Sequence, residues 1–416
     1  MAPSPTQRVV DAVWRIESAR LIAGLTRIVR DLGLAEELAQ DALVAALEQW
    51  PESGVPDNPG AWLMAVGKRR AIDLIRRQDR YDRKLVELAR DLSTEEPEPE
   101  PAAAIEDDLL RLVFIACHPV LSAPSRCALT LRVLGGLSTD EIARAYLVPE
   151  PTVAQRIVRA KRTLAQAQVP FEVPEGAELA ARLGSVLEVI YLIFNEGYAA
   201  TAGDDWMRPT LCEEALRLGR IVAELMPKEP EVHGLVALLE IQASRSAARV
   251  GPSGEPVLLY EQDRGRWNQL LIRRGLAALD RAEALGGAPG PYLLQAAIAA
   301  CHARARTPEE TDWVRIAALY QALALRTPSP VVELNRAVAV GMAYGPAQAL
   351  PIVDALSAEP ALANYHLLPA VRGDLLVKLG RGAEARTEFE RAATLTRNAR
   401  ERTLLLDRAA GTTRPG

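Results

Sequence analysis

Apolar residues recur at intervals of three and four through nearly the whole of this 416-residue chain. That spacing lays one apolar stripe along a helix. Ala, Leu, Arg and Glu dominate, and alternating β-branched runs are scarce, so intrinsic preference points the same way. The expected fold is all-α. Apolar residues make up 49% of the chain, enough to bury sizeable cores, and the length suits two to four domains. No run of about 18 uncharged apolar residues is present. The opening "MAPSPTQRVVDAVWRIESAR" has no signal-peptide core. No membrane span is therefore expected, and a cytoplasmic location is.

Three stretches interrupt the helical pattern. "STEEPEPEPAAAIEDD" (Ser93–Asp108) alternates Pro with Glu, which blocks helix, stays solvated and repels itself, so it reads as a linker. "VPFEVPEG" (Val169–Gly176) is a second break, and "RVGPSGEPV" (Arg249–Val257) reads as a surface loop. Charge is uneven around the first break. Residues 85–108 hold nine acids and one Arg, whereas residues 109–168 hold eight Lys and Arg and three acids. The whole chain is net −5. Such patterning speaks about partners and not about fold.

"GGLSTDEIARAYLVPEPTVAQRIVRAKRTL" (Gly135–Leu164) reads as helix, turn and basic helix. Ser138 with Glu141 three residues on forms a capping box. Val153, Ile157, Ala160 and Leu164 make one buried stripe, which turns Thr152, Gln155, Arg156, Arg159, Lys161 and Arg162 outward. A helix entering the major groove by its N-terminal end aims such residues at bases and phosphates. Pro149 stands where a Ser-type cap is usual, with Pro151 inside the first turn, where Pro is tolerated.

"NPGAWLMAVGKRRAIDLIRRQDR" (Asn58–Arg80) is a second basic helix, with eight Lys and Arg against three acids over residues 62–84. Trp62 beside Lys68, Arg69, Arg70, Arg76, Arg77 and Arg80, after a Pro/Gly loop, suits nucleic acid. Upstream, "AEELAQDALVAALEQW" (Ala35–Trp50) is amphipathic.

Taken in order, these three motifs resemble the extracytoplasmic-function sigma factors of bacterial RNA polymerase over residues 8–168, and the whole chain resembles the subgroup with a long C-terminal helical extension. "ACHPVLSAPSRCALTLR", "LIFNEGYAA" and "NRAVAV" are similar to that subgroup's phrases. The resemblance implies a region-two domain over 1–90, an acidic linker over 91–106, a region-four helix-turn-helix over 107–168 and a regulatory helical domain over 169–416. It implies that Glu37, Leu38, Gln40 and Asp41 meet the clamp helices of the polymerase largest subunit, with the flap a further contact. Loop Pro51–Gly60 would capture a flipped base of the minus-ten element, and Asn58, Trp62, Lys68, Arg69, Arg70, Arg76, Arg77 and Arg80 would bind that element. Thr152, Gln155, Arg156, Arg159, Lys161 and Arg162 would read the minus-thirty-five element. Arg69 stands where the family commonly has Asn, a departure that bears on base preference. The acidic linker has the charge to thread a positively lined RNA exit path. Polymerase supplies most of the DNA affinity, so two local basic surfaces suffice in an acidic chain.

The C-terminal half reads as successive helix pairs. The last, "ALANYHLLPAVRGDLLVKLGR" with "GAEARTEFERAATLT", spaces Gly373, Leu376, Gly380, Ala385, Phe389 and Ala392 in the manner of a tetratricopeptide repeat. Such stacks form binding surfaces more often than catalytic sites. They suit a small regulatory protein or ligand, and "YEQDRGRWNQLLIRRG" (Tyr260–Gly275) is either a contact segment or a helix start with Trp267 in the core. Cys117, Cys127, Cys212 and Cys301 lack metal-site spacing. Glu196, Tyr198, Asp204 and Asp205 in "FNEGYAATAGDD" lack a partnering nucleophile, phosphate loop or metal ligand set. No enzyme, metal or cofactor is expected. The rival is a stand-alone helix-turn-helix regulator with a tetratricopeptide sensor, which leaves Ala35–Arg80 without a role.

Overall fold

The structure is a computed structural model that describes residues 5–79, 102–146, 148–199, 207–252, 255–396 and 398–412. Among these, the named elements are all helices, and an isolated antiparallel bridge joins Val250 to Pro256. The chain forms two compact units, 1–192 and 193–416.

The first unit opens with three mutually packed helices, α1 (Pro5–Val29), α2 (Leu32–Ser53) and α3 (Pro59–Asp79). Asp31 starts α2 by accepting the Leu34 amide at 2.8 Å. Leu21, Ile22, Leu25, Ala42, Trp50 and Leu63 fill the space between the helices. Gly67 lets α3 cross α1 closely, because a Cβ there would come within 3.0 Å of the Leu25 side chain. Helix α2 ends at Gly54, whose φ of +82° suits a residue without Cβ.

Helix α4 (Ala102–Ala116) follows, then α5 (Ala123–Val133), α6 (Thr139–Tyr146) and α7 (Glu150–Gln166). The start of α4 corrects the far end of the acidic linker, since residues 102–108 are helical. Asp108 is not solvated but only 2% exposed. It is held by Arg27 of α1 at 2.8 Å and Arg111 at 2.7 Å, two guanidinium groups that offset the cost of burying its charge. Helix α5 packs on α7, and α4 packs on α1. Helix α8 (Gly176–Tyr198) then closes over this second group of helices: Arg182 donates to the Phe114 carbonyl at 3.1 Å, and Ser185 donates to the Cys117 carbonyl.

The second unit contains α9 (Pro209–Leu225), α10 (Pro230–Ser244), α11 (Gln269–Leu285), α12 (Pro291–Arg304), α13 (Trp313–Arg326), α14 (Pro330–Tyr344), α15 (Pro346–Leu356), α16 (Leu367–Lys378), α17 (Gly382–Leu395) and α18 (Ala399–Gly411). Each packs on the next, a stack of local contacts as the repeated helix pairs imply. Gly373 of α16 faces Phe389 of α17 so closely that a Cβ would lie 2.8 Å from the ring. Gly380, with φ +74°, makes the turn between these two helices. Leu376, Ala385, Phe389 and Ala392 are all buried in the core this pair shares with α14, α15 and α18.

Candidate nucleic-acid interface

The region-four side of the interface is built by its caps. Ser138 Oγ accepts the Glu141 amide at 3.1 Å, and the Glu141 carboxylate accepts the Ser138 amide at 2.8 Å, so the expected box closes reciprocally. Burial pushes the Glu141 carboxyl up, but the Ser138 hydrogen bonds and the charges of Arg15 and Arg144 outweigh it and hold it below its ordinary value. Helix α7 begins at Glu150 with Pro149 as its cap residue and no side-chain cap bond. Thr152 and Val153 amides both turn back to the Pro149 carbonyl. Val153, Ile157, Ala160 and Leu164 are all buried, which fixes the helix rotation. Gln155, Arg159 and Arg162 are exposed, and Thr152 and Arg156 are half-buried.

Lys161 departs from this outward set. It turns inward and forms an ion pair with Glu36 of α2. Glu36 is also held by Arg132 of α5 at 2.7 Å and by the Gln40 amide at 2.9 Å. Its side chain is 5% exposed. Burial acts to raise the Glu36 carboxyl, but Lys161 and Arg132 prevail and hold it below the usual range. One buried carboxylate thus ties the α1–α3 bundle to two helices of the second group. Arg15 to Glu141 at 3.1 Å is an exposed companion contact, and exposed pairs contribute little.

On the region-two side, Asn58 caps α3, its Oδ1 accepting the Ala61 amide at 3.1 Å. Trp62 is half-buried and stands edge-on to buried Trp50, with ring centres 5.3 Å apart. Arg69 and Arg76 are exposed, and Lys68 is half-buried. Arg70 pairs with Asp41 of α2 at 3.1 Å, joining the expected DNA set to the expected polymerase set. Arg77 lies on α3 with its side chain outside the described residues, as does the whole of Arg80.

Of the four residues assigned to polymerase, Glu37 and Asp41 are exposed and Gln40 is half-buried. Leu38 is corrected: at 4% exposure it is part of the bundle core and offers no surface. The heptad-like spacing of α2 puts Leu38 with Ala35, Ala42 and Ala45 on the inner stripe. The apolar groups that α2 does expose are Val44 and Leu47, near Glu37, Asp41 and Glu48. Their signal was available as apolar residues off the main stripe. Val158 is a second omission. It is 64% exposed between Gln155 and Arg162 on the outer face of α7, an apolar group where the other residues are polar.

The other candidates resolve simply. Glu196 is paired with Arg208, and Asp204 and Asp205 lie outside the described residues. The four cysteines are free and buried. Burial pushes Cys117 and Cys212 up to about 12 and Cys127 up to about 11. Among the described residues no cluster of His, Cys, Asp and Glu could hold a metal ion, and no helix is long and apolar enough to cross a membrane.

Comparison with known proteins agrees with this geometry. Residues 16–81 match Sigma-70 region 2, residues 111–164 match Sigma-70, region 4, and residues 182–283 match a family of unknown function, DUF6596. The chain is 47% identical to "Uncharacterized protein R00370" of Rhizobium meliloti (strain 1021), over 91% of this chain and 90% of that one. It is 30% identical to ECF RNA polymerase sigma factor SigK of Mycobacterium ulcerans (strain Agy99), over 35% of this chain and 78% of SigK. It is 26% identical to the probable ECF RNA polymerase sigma factor SigI of Mycobacterium tuberculosis (strain ATCC 25618 / H37Rv), over 39% of this chain and 57% of SigI. No solved structure matches. The chain belongs to the extracytoplasmic-function sigma factors, in a form that adds a long C-terminal helical region. Such factors are DNA-binding subunits of transcription initiation and not enzymes.

Proposed function

We propose that the chain binds core RNA polymerase through the outer face of α2 and directs promoter-specific initiation, under control of its C-terminal helices. Glu37, Gln40 and Asp41, with Val44 and Leu47 beside them, meet the clamp helices in this reading. Asn58, Trp62, Lys68, Arg69, Arg70, Arg76, Arg77 and Arg80 bind the minus-ten element. Thr152, Gln155, Arg156, Arg159 and Arg162 read the minus-thirty-five element. The domains follow as region two over 1–90, a linker that ends where α4 begins at Ala102, region four from α4 to residue 168 and regulator over 169–416, working in the cytoplasm, with a small protein or ligand as the regulator's partner. The observation that carries the reading is the α6–α7 pair. Its capping box and buried stripe leave Gln155, Arg159 and Arg162 on one open face.

The ion pairs of Glu36 add a condition. Two promoter elements about 25 base pairs apart are separated by on the order of 85 Å of B-DNA. Domains held together by Glu36, and by Asp108 with Arg27, cannot read both. In this reading the Glu36 contacts part on the promoter, and Lys161 is released to join its neighbours on DNA.

The test is run-off transcription with purified core polymerase on a promoter library, comparing the full chain with residues 1–198, a cut that keeps α8. Initiation by either form supports the sigma role. Better initiation by the short form makes the C-terminal helices a mask, and initiation by the full chain alone makes them a requirement. Failure of both, with stable operator binding in the absence of polymerase, replaces the reading with a stand-alone regulator.

A further inference from the structure

Among the described residues, most half-buried arginines face a carboxylate. Arg372 sits between Asp354 and Glu388, Arg220 meets Glu240, and Arg336 holds Glu333. One place in the second unit breaks the habit. Arg245, at the C-terminal end of α10, and Arg264, in the turn before α11, both stand against the Trp267 ring, with guanidinium carbons 5.8 and 5.0 Å from its centre. Arg245 also approaches the Tyr198 ring at 5.9 Å. Neither has an ion pair among the described residues. Arg264 spends its terminal nitrogens on the carbonyls of His302 and Ala305, at 2.8 and 2.6 Å, and on the Thr311 hydroxyl at 3.1 Å.

Around these two charges the polar atoms are left over. The Nε atoms of Arg245 and Arg264, the indole Nε1 of Trp267 and Nδ1 of His302 are all buried with no hydrogen-bond partner in the protein. Trp267 is 3% exposed. Buried donors are nearly always satisfied, and stranding one costs about 1–3 kcal/mol. Four stranded polar atoms, three of them obligate donors, in one aromatic-walled neighbourhood form a pattern and not an accident of one rotamer. The electrostatics agree. Burial and the charges of Arg245 and Arg264 push His302 down to about 3, so its ring is neutral. Burial lowers Arg264 and prevails over Glu309, which raises it, with Arg245 lowering it and Glu310 raising it further behind. Neither guanidinium is held by a carboxylate in an ion pair, and an unpaired donor beside such a charge suits an acceptor that is itself negative.

We propose that Arg245, Arg264, Trp267 and His302 form a binding site for an anionic small molecule carrying a carboxylate or phosphate group. The guanidinium Nε–H groups and the indole N–H donate to the anion, and the aromatic walls limit its hydration. The site lies largely within the stretch that matches the family of unknown function, residues 182–283, and it stands independently of the promoter-binding reading.

The test is a titration of the full ¹⁵N-labelled chain with inorganic phosphate and, separately, with acetate, against sodium chloride at matched ionic strength. The readout is the indole N–H resonance of Trp267, assigned from its loss in Trp267→Phe. A saturable downfield shift with phosphate, acetate or both is expected, and which anion acts names the head group. Arg245→Gln weakens that binding about ten- to a hundredfold, while Arg386→Gln, on the surface of α17, leaves it unchanged. A wild-type resonance that moves no more than in chloride overturns the proposal without recourse to any variant. So does unaltered affinity in a folded Arg245→Gln protein.

Discussion

Glu36 and Lys161 form an ion pair across the two DNA-reading parts of the first unit, and Arg132 reinforces it at 2.7 Å. A residue expected to hold promoter phosphate is thereby spent on an internal carboxylate. Because Glu36 is almost fully buried, its removal leaves two cations unpaired, a loss of about 3 kcal/mol. Fluorescence transfer between labels at Glu48→Cys and Arg159→Cys should fall in the Glu36→Gln background. The native thiols are buried and pushed up, so they compete poorly for the label. Unchanged transfer would show that the pair holds nothing together.

The same carboxylate gives a pH dependence. Its folded value lies below the ordinary one, so its contribution is complete above the ordinary carboxylate range and drains away as pH falls through the lowered value. The labelled protein should lose transfer in that acid window. Glu36→Gln should show a flat profile there, and a matching slope in both proteins would assign the effect elsewhere.

Val158 offers a methyl-bearing surface between Gln155 and Arg162. Apolar side chains in the major groove read the thymine methyl. Val158→Ala should leave stability within about 0.5 kcal/mol, as at other surface sites, yet relax preference at one thymine by about 1 kcal/mol. Arg159→Ala should instead weaken all sequences. Selection from a randomised minus-thirty-five library separates the two, and an unaltered selected base at every position for Val158→Ala would remove it from the reading face.

Residues 1–168 should be less stable than residues 1–198 by about 3 kcal/mol in urea. The shorter cut removes Arg182 and Ser185, which satisfy the carbonyls of Phe114 and Cys117, and it uncovers buried Phe114. Equal midpoints would mean that α8 merely rests on region four.

Gly373→Ala sets two effects against each other. Helix propensity gains about 1 kcal/mol, but the new Cβ would stand 2.8 Å from the Phe389 ring, and overpacking costs about 1–3 kcal/mol. Net destabilisation is expected, seen as an earlier thermal transition. Gly373→Ala combined with Phe389→Leu should recover part of it, and a net gain from Gly373→Ala alone would show that the α16–α17 contact yields easily.

Local chemistry was readable where the partners are near in sequence. Ser138 and Glu141 are three residues apart, and Val153 to Leu164 repeat on one helix, so cap and stripe followed from spacing. Gly373 and Phe389 belong to one helix pair. Leu38, Asp108 and Lys161 were misplaced for a common reason. A leucine on the wrong side of an amphipathic helix, or a charge in a basic or acidic run, is written the same way whether it meets water or a residue far along the chain. Glu36 and Arg132 are 96 positions apart, and nothing local announces that they meet. The Arg245–Trp267–Arg264 neighbourhood was legible only as a charged aromatic segment, because its unpaired donors exist only once α10, α12 and the turn before α11 have come together.

The contacts of Glu36 join parts of one chain. Being parts of one chain fixes the local concentration of each half around the other, and dilution does not change it. In the proposed reading, polymerase and promoter compete with a rival that is always present in equal number and never diffuses away. The fraction of chains in which Glu36 holds the two parts together is therefore a property of the chain and does not change with protein concentration.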